Sequence, residues 1–405
     1  MPPEKYFITG IPGVKVRHIH EERSEIIVKG DVFIDPCTTR CTHCTGQSYR
    51  IKSTKTKKLK HAIFTKKLVV LQLRVSKLYC KLCRRYFTPP LPGTLPGKRA
   101  TENFRSDVFQ MHHGGVSQVQ IERTCHISGS TVERWYQDFV KYRVKELSGR
   151  KCPIVMGIDE HFFSRKKGYA TTLVDLKNHK VFEVVLGRSE ASLQAFLKKL
   201  PGRSRVRVVV MDLSETYRAI VRKYFPNALI VADRFHVIKL LNHHFLKTWS
   251  AFDEVGRKSR GLLSLMRRHA WNLSSEQREK LEQYFAAHPG LKEVWQFKQD
   301  LTVLLLKRHQ KKSEVKDLIP QFLWHLNELL GSPLPHMKTF GETMKSWSEP
   351  IVRMWRFTKN NGITEGLHTK MEMISRRAFG FRNFQNYRLR VIALCGWDGV
   401  FAVRS

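Results

Sequence analysis

The chain has 405 residues, of which 41% are hydrophobic, and this length and composition predict a globular protein of about two to four domains. Its 72 Lys and Arg residues outnumber its 35 Asp and Glu residues, and the net charge of +37 favours a nucleic-acid partner. The alternatives are a merely soluble basic protein and one that binds acidic membranes. No apolar run approaches the roughly 20 residues of a membrane span, and the polar start predicts no secretory signal. We therefore expect a cytosolic protein without membrane contact, whose eight cysteines are thiols or metal ligands.

Two Cys-x-x-Cys pairs near the N-terminus predict a structural zinc site. The four predicted ligands are Cys41, Cys44, Cys80 and Cys83. Four thiolates are a common ligand set of tetrahedral zinc, and the alternating apolar segments between the pairs predict antiparallel strands. Residues 1–98 are therefore predicted to be a zinc-ribbon DNA-binding domain. Cys37 and His43 are spare candidate ligands, and redox chemistry is the alternative use of the thiols.

A proline-rich linker precedes residues 99–150, which we predict to be a helix-turn-helix DNA-binding domain. The turn runs from His126 to Gly129, and Ser130 is the predicted N-cap of the second helix. The predicted core of that helix comprises Val132, Trp135, Phe139 and Tyr142. A plain helical bundle is the alternative.

The predicted DNA contacts are basic or exposed polar side chains, since such groups contact phosphates and base edges. They are Lys57, Lys58 and Lys60 in the lysine-rich hairpin, Arg84 and Arg85 after the second cysteine pair, Ser130, Thr131 and Arg134 on the second helix, and Arg376 and Arg377 near the C-terminus. A solvated charged surface is the alternative for each group.

Residues 151–241 show the pattern of a mixed sheet. Three short alternating runs predict an antiparallel meander, and a helix from Ser189 to Leu200 follows. The strand VRVVVMD, a helix, the strand ALIVAD and a helix that begins near Phe235 complete the order. This order predicts a ribonuclease H-like arrangement, the first part of a catalytic core.

Three acids stand where rigid backbone can hold a carboxylate. Asp159 and Asp212 end apolar strands, and Glu365 lies in a helical segment. A buried carboxylate is costly unless it binds a cation or a proton, and paired divalent cations promote displacement at phosphorus. We therefore predict a site for two Mg²⁺ ions, with Mn²⁺ as an alternative metal. The alternative is that these acids lie at the edge of a sheet without binding a metal. Glu160 is the neighbouring acid most worth testing.

Residues 242–345 carry apolar positions at helical spacing and predict an all-helical insertion, after which residues 346–405 complete the core. We expect a helix cap at Ser274 or Ser275 and a break at Pro289. Four aromatic residues of the insertion are predicted to be core. They are Trp271, Tyr284, Trp295 and Phe297.

Four blocks of the chain, GIDEHFF, VVMDLSETY, VADRFHVIKL and NGITEGLHTKMEMISRRAFGFRNFQNYRLRV, occur in this order. They resemble the hallmark blocks of bacterial insertion-sequence transposases of the DDE type, specifically the ISL-three family, and the resemblance covers essentially the whole chain. It aligns Asp159, Asp212 and Glu365 with the three catalytic acids of the family. Asp233 and His236 resemble a D-x-x-H signature near the active site of related transposases, where the histidine orients a carboxylate, contacts DNA or is structural.

The resemblance implies a DNA transposase that binds the terminal inverted repeats of an insertion sequence. It implies Mg-dependent cleavage and joining of the 3′-hydroxyl ends to target double-stranded DNA, a homodimer or larger synaptic complex, and a nucleoid-associated location in the bacterial cytoplasm. Two alternatives stay open: a catalytically inactive, transposase-derived DNA-binding regulator, and a ribonuclease H-like nuclease without strand transfer.

Overall fold

The computed structural model describes residues 9–147, 151–357 and 362–396, which divide between two compact units, one ending at Lys145 and the other beginning at Glu146. The ends of the predicted segments 99–150 and 346–405 lie outside the described residues. Within these ranges, none of the helices combines the length and the apolar character that a membrane-spanning segment requires.

The N-terminal unit contains a sheet of five strands. They are β1 (Val14–Glu21), β2 (Glu25–Val32), β3 (Tyr49–Phe64), β4 (Lys67–Cys80) and β5 (Tyr86–Phe87). The order is β1-β2-β4-β3, with β5 paired to β4. The predicted antiparallel pair is the hairpin of β3 and β4, whose turn residues Thr65 and Lys66 both have positive φ, as a tight hairpin turn requires. The sequence analysis missed β1 and β2, and β2 pairs with β4 in parallel.

Three helices complete this unit: α1 (Glu102–His113), α2 (Gln118–Cys125) and α3 (Gly129–Leu147). Strand β4 is buried on both faces, because successive side chains point in opposite directions. Leu71 and Leu73 pack with β1 and β2, whereas Leu68 and Val70 pack with the helices. The strands and the helices therefore share one continuous framework.

The turn between α2 and α3 is close to the predicted position. His126 follows α2 in the left-handed conformation with φ 51°, and α3 begins at Gly129. The predicted cap at Ser130 is wrong, because Ser130 lies inside the first turn of α3 and the carbonyl of Ser128 accepts the first amides. Tyr142 is exposed and was wrongly placed in the core; Tyr136, which stacks on Phe109 of α1, is buried instead.

The C-terminal unit contains the second five-stranded sheet. Its strands are β6 (Val155–Ser164), β7 (Gly168–Asp175), β8 (Lys180–Leu186), β9 (Val208–Met211) and β10 (Leu229–Ala232), in the order β10-β9-β6-β7-β8. Strands β6, β7 and β8 form the predicted antiparallel meander, whereas β9 and β10 run parallel to β6. The short strands β9 and β10 are continuous apolar runs because both faces of the sheet are covered. Helices α4 (Glu190–Lys199) and α5 (Glu215–Tyr224) connect β8, β9 and β10.

Helices make up the rest of the unit. They are α6 (Arg234–Phe252), α7 (Glu254–Lys258), α8 (Arg260–Arg267), α9 (Ser275–Ala286), α10 (Pro289–Leu306), α11 (Lys312–Gly331), α12 (Pro335–Ser346), α13 (Ser348–Arg356), α14 (Gly362–Arg377) and α15 (Phe384–Cys395). Ser274 caps α9 in a capping box, and Pro289 starts α10, as expected. One predicted core residue is wrong: Trp271 lies on a short 3₁₀ turn between helices and is 49% exposed.

Candidate functional site

The four cysteines of the two Cys-x-x-Cys pairs meet in the N-terminal unit. The Sγ atoms of Cys41 and Cys83 are 3.7 Å apart, those of Cys44 and Cys80 are 3.6 Å apart, and all four lie within 4.8 Å of one another. Four sulfurs about 2.3 Å from a tetrahedral zinc ion lie roughly 3.8 Å apart, so this spacing fits zinc. Cys37 and His43 do not belong to the group.

Backbone amides favour the thiolate form of Cys41 and Cys80, whereas burial raises the pKa of the Cys83 thiol to about 12. Thr45 and Arg84, which directly follow the second cysteine of each pair, have φ of 56° and 57°, and this turns the chain back around the sulfurs. The amide of His43 donates to Cys41 Sγ at 3.4 Å. The amide of Cys83 donates to Cys80 and is the main reason why the pKa of Cys80 is lowered to about 7. Hydrogen bonds to the charged form stabilise it, as a metal-binding thiolate requires.

Three aspartates lie at one edge of the second sheet. Asp159 lies in β6, Asp212 directly follows β9, and Asp233 directly follows β10, where its side chain accepts the amide of Phe235 and caps α6. In these parallel neighbours Ile158 of β6 and Ala232 of β10 both pair with Met211 of β9, so the aspartate that follows each of the three residues lies at the same level of the sheet. Asp159 is 7% exposed and Asp233 is 1% exposed, so both are buried, whereas Asp212 is half-buried.

Burial and mutual repulsion make these carboxylates hard to ionise. Burial raises the pKa of Asp159 to about 7; the Asp212 and Asp233 carboxylates add to the rise, and the Glu160 amide, which donates to Asp159 at 2.8 Å, opposes it. Burial also raises the pKa of Asp212. Within the described part of the chain, Asp212 Oδ1 is buried and has no hydrogen-bond partner. Carboxylate oxygens are the donors that Mg²⁺ prefers, and a bound cation would offset this repulsion.

Helix α14 places Glu365 beside this cluster. Glu365 lies in the exposed first turn of α14, and His368 follows one turn later. His368 Nδ1 is 3.8 Å from Asp159 Oδ2, so the start of α14 lies next to β6. Among the residues that the structure describes, only the four cysteines bring three or more ligand atoms within 4.8 Å of one another, so the carboxylates are arranged less tightly than the thiols.

His236 lies among the acids. Its Nε2 is 3.6 Å from Asp233 Oδ2. Burial lowers the pKa of His236, whereas the neighbouring Asp212 and Glu365 carboxylates act in the opposite direction. The structure thus brings His236 close to Asp212, Asp233 and Glu365.

A hydrogen-bond network behind Asp159 was missed by the sequence analysis. Thr172, which lies opposite Asp159 on β7, bonds through Oγ1 to His161 Nδ1 at 3.0 Å and to His368 Nε2 at 3.1 Å. Tyr387 Oη lies 2.9 Å from His161 Nε2. Burial lowers the pKa of His161 to about 3 and of His368 to about 4, so both imidazoles are neutral at pH 7.

The spacing of these histidines from the acids indicates part of this network in the sequence. His161 is two residues after Asp159 on a strand and His368 is three residues after Glu365 on a helix, so each shares a face with its acid. Glu160 points to the other face, where Arg188 Nη1 approaches its carboxylate at 3.3 Å. Glu160 is therefore in an ion pair, but its charge also raises the pKa of Asp159 and Asp212, so it lies near the aspartates and stays the neighbouring acid most worth testing.

The predicted DNA contacts differ in exposure. The exposed ones are Lys58, Arg84, Arg85, Ser130, Arg134, Arg376 and Arg377. Lys57 and Thr131 are half-buried, and Arg134 donates to Thr131 Oγ1 at 3.2 Å. The ammonium of Lys60 donates to the carbonyl of His126 and so ties β3 to the turn between α2 and α3. Lys60 therefore has a structural contact in addition to its predicted role.

Comparison with known proteins identifies the family. A family model for DDE ISL3 proteins, described as transposase, matches residues 156–391, more than half of the chain. The chain belongs to the ISL3 (ISL-three) family of insertion-sequence transposases. The matched region runs from β6 to α15 and contains all the acids described above. The chain is also 22% identical over 364 residues to the transposase for insertion sequence element IS1001 of Bordetella parapertussis, which covers 87% of this chain and 88% of that protein.

Proposed function

We propose that the chain is a DNA transposase that binds the terminal inverted repeats of its insertion sequence, cleaves phosphodiester bonds with Mg²⁺ and joins the 3′-hydroxyl ends to target DNA. The observation that carries this proposal is the convergence of Asp159, Asp212 and Asp233 at one sheet edge, beside the helix that bears Glu365. The strand order β10-β9-β6-β7-β8, with β6 to β8 antiparallel, supports a ribonuclease H-like core.

Asp159, Asp212 and Glu365 would hold two Mg²⁺ ions, or Mn²⁺ in their place. The chemistry supplied by such cations is neutralisation of charge on the scissile phosphate and a lower pKa for the attacking oxygen. The chain's own residues prepare the site. The Glu160 amide fixes the Asp159 carboxylate, and His368, held by Thr172, borders it on the side of α14.

His236 and Asp233 act in support. The neutral imidazole of His236 stands between acids, where it orients the Asp212 and Glu365 carboxylates or donates to a DNA phosphate. Asp233 fixes the start of α6 as its N-cap and thereby the position of His236, three residues later.

The N-terminal unit would recognise the element's ends. Cys41, Cys44, Cys80 and Cys83 would hold a zinc ion that would fix the open end of the β3–β4 hairpin, and α3 follows the turn at His126 as a recognition helix does. The exposed side chains of Lys58, Arg84, Arg85, Ser130 and Arg134 would contact DNA. Two ends imply a homodimer or larger synaptic complex, and the substrate places the protein at the bacterial nucleoid.

The test uses full-length protein and DNA that contains the inverted repeats flanking its gene. We expect Asp159→Asn, Asp212→Asn and Glu365→Gln to abolish cleavage and joining while end binding persists. Asp300→Asn, which alters an exposed carboxylate on α10, is the matched control and should retain activity. Cleavage that survives any of the three changes would refute the active-site assignment.

The same experiment separates the two alternatives. Mg-dependent cleavage without joining would identify a nuclease that lacks strand transfer. Specific end binding by the wild-type chain, with no cleavage in Mg²⁺ or Mn²⁺, would identify a DNA-binding regulator. For the zinc site, metal analysis of the full chain should give about one equivalent of zinc, and less than half an equivalent would contradict the ribbon.

A further inference from the structure

A cavity of about 350 Å³ lies in the helical part of the C-terminal unit, away from the acids. Its lining includes Trp271, Leu273, Arg278, Leu281, Phe285 and Trp295. This volume falls in the range of about 300–1,000 Å³ that is typical of small-ligand pockets. Nothing in the proposed chemistry uses it.

Trp271 stands at this cavity as an exposed aromatic. Its side chain is 49% exposed, and its ring stacks on His269 with centroids 4.4 Å apart and planes 3° from parallel. A flat, paired aromatic surface of this kind can receive a further planar ring by stacking. Phe285 and Trp295, whose ring centroids are 5.5 Å apart, supply aromatic walls.

The turn that carries Trp271 is held rigidly. The buried Lys298 ammonium donates to the carbonyl of Met266 at 2.9 Å. The buried Gln299 side chain donates to the carbonyl of Arg268 at 2.9 Å and accepts the amide of Ala270 at 3.1 Å. A buried ammonium is unfavourable unless it is hydrogen-bonded, so these contacts fix the turn strongly. Trp271 is therefore exposed because these hydrogen bonds hold its turn in this position.

An indole side chain and charged side chains line this cavity. The indole Nε1–H of Trp295, a residue that is 8% exposed, is buried and has no acceptor within the described ranges. Glu282 is neutralised by Lys292 at 2.6 Å, whereas no carboxylate pairs with Arg278 among the described residues. Arg267 and Arg268 are exposed on the preceding segment. The rim is therefore positive, whereas Trp295 contributes its ring surface to the cavity wall.

We propose that this cavity binds an unpaired nucleobase of DNA. The base stacks on Trp271 between the aromatic walls, and the adjoining phosphate meets Arg278. An apolar peptide would satisfy the aromatic walls but not the positive rim, and the chain's net charge of +37 also favours DNA. The inference rests on the proposed function, because that function supplies the DNA.

The test measures binding of full-length protein to a fluorescein-labelled 16-nucleotide oligodeoxythymidylate and to a fully paired duplex by fluorescence anisotropy. Base stacking on an aromatic side chain contributes roughly 1–3 kcal/mol, so Trp271→Ala should weaken oligodeoxythymidylate binding roughly 5- to 150-fold. Duplex binding should be unchanged, and Trp271→Phe should keep most of the affinity. The control is Trp324→Ala, since Trp324 is 55% exposed on α11 outside the cavity.

Equal losses for Trp271→Ala and Trp324→Ala, equal losses for oligonucleotide and duplex, or no loss at all would overturn the proposal. Arg278→Met is a second variant that leaves the aromatic packing intact. It should lower the affinity and reduce the salt dependence by about one phosphate contact. The result is independent of catalysis: Trp271→Ala should have the same effect in an Asp159→Asn background. A wild-type chain that binds unpaired bases but never cleaves would refute only the proposed function.

Discussion

Asp159→Asn should stabilise the protein in the absence of added divalent cations at neutral and alkaline pH, although it should abolish cleavage. The Asp159 carboxyl has a pKa of about 7 in the folded chain against an ordinary 3.8, mainly because of burial. Asparagine has nearly the same shape and keeps an oxygen for the Glu160 amide, which donates to Asp159 Oδ1 at 2.8 Å. The substitution therefore removes the charge and retains the contact.

The sign and the size follow from proton linkage. Below about pH 4 the carboxyl is protonated in both the folded and the unfolded chain, and no penalty arises. Between about pH 4 and pH 7 the unfolded chain releases the proton more readily, so the free energy of unfolding falls as the pH rises. Above pH 7 the penalty is complete. A pKa raised from 3.8 to about 7 corresponds to about 4 kcal/mol at about 1.4 kcal/mol per pKa unit.

Thermal unfolding at pH 5 and pH 8, in buffer whose only divalent cation is zinc, checks this prediction. At about 2–4 °C per kcal/mol, Asp159→Asn should unfold of the order of 10 °C above the wild type at pH 8, with a smaller difference at pH 5. Added Mg²⁺ should stabilise the wild type more than the variant, since binding to the native state favours it. Asp300→Asn is the control. Equal or lower stability of Asp159→Asn at pH 8 would refute the reasoning.

Four further changes test other contacts. His368→Ala should slow single-turnover cleavage by about 10- to 100-fold without weakening DNA binding, because His368 orients the Asp159 carboxylate beside it. His368→Asn should restore part of the rate. Arg105→Ala should lower the free energy of urea unfolding of the N-terminal unit by about 3–5 kcal/mol, since it leaves the buried Glu102 carboxylate, now 2.6 Å from Arg105 Nη1, without its partner. Arg234→Met should lower the melting temperature, because each buried carbonyl left without a donor costs about 1–3 kcal/mol. Cys80→Ser should reduce bound zinc to below half an equivalent by metal analysis.

The central sheet could be predicted from the sequence because its strands are short, apolar and separated by clear turns. Strand β1 could not, because it lies at the sheet edge and exposes every residue after Val16. Its sequence VKVRHIHE therefore carries little burial pattern. The cap at Ser130 was also beyond local reasoning, since Ser128 is an equally good candidate two residues earlier and tertiary packing decides where the helix begins.

The acids were predictable one by one, but their surroundings were not. Alternation places His161 on the face of Asp159, yet its meeting with His368 at Thr172 depends on the register of β6 against β7 and on the position of α14. A local sequence pattern predicts neither the register of these strands nor the position of this helix. Trp271 illustrates the opposite error, because helical periodicity assigned it to a core, whereas a 3₁₀ turn between α8 and α9 exposes it.

Arg234 is one of the residues that tie the helices between Asp233 and Glu365 to the sheet edge that carries the aspartates; Arg353, whose Nη1 donates to the carbonyl of Ile230 at 3.3 Å, is another. Arg234, which is 4% exposed, donates to the carbonyl of Leu305 at 2.9 Å, of Lys307 at 2.9 Å and of Met354 at 2.7 Å. These carbonyls belong to the ends of α10 and α13, so the start of α6 holds both in place.

Because Arg234 directly follows Asp233, the same short stretch fixes an acid of the cluster and the end of the helices that lead to α14. The roughly 130 residues between Asp233 and Glu365 therefore need not make Glu365 mobile, since α13 is anchored at Met354, only 11 residues before it. Loss of the Arg234 contacts should accordingly impair cleavage through Glu365 even where the fold survives. Under the proposed function, this anchoring is how an acid so distant in sequence would serve the same site as Asp159 and Asp212.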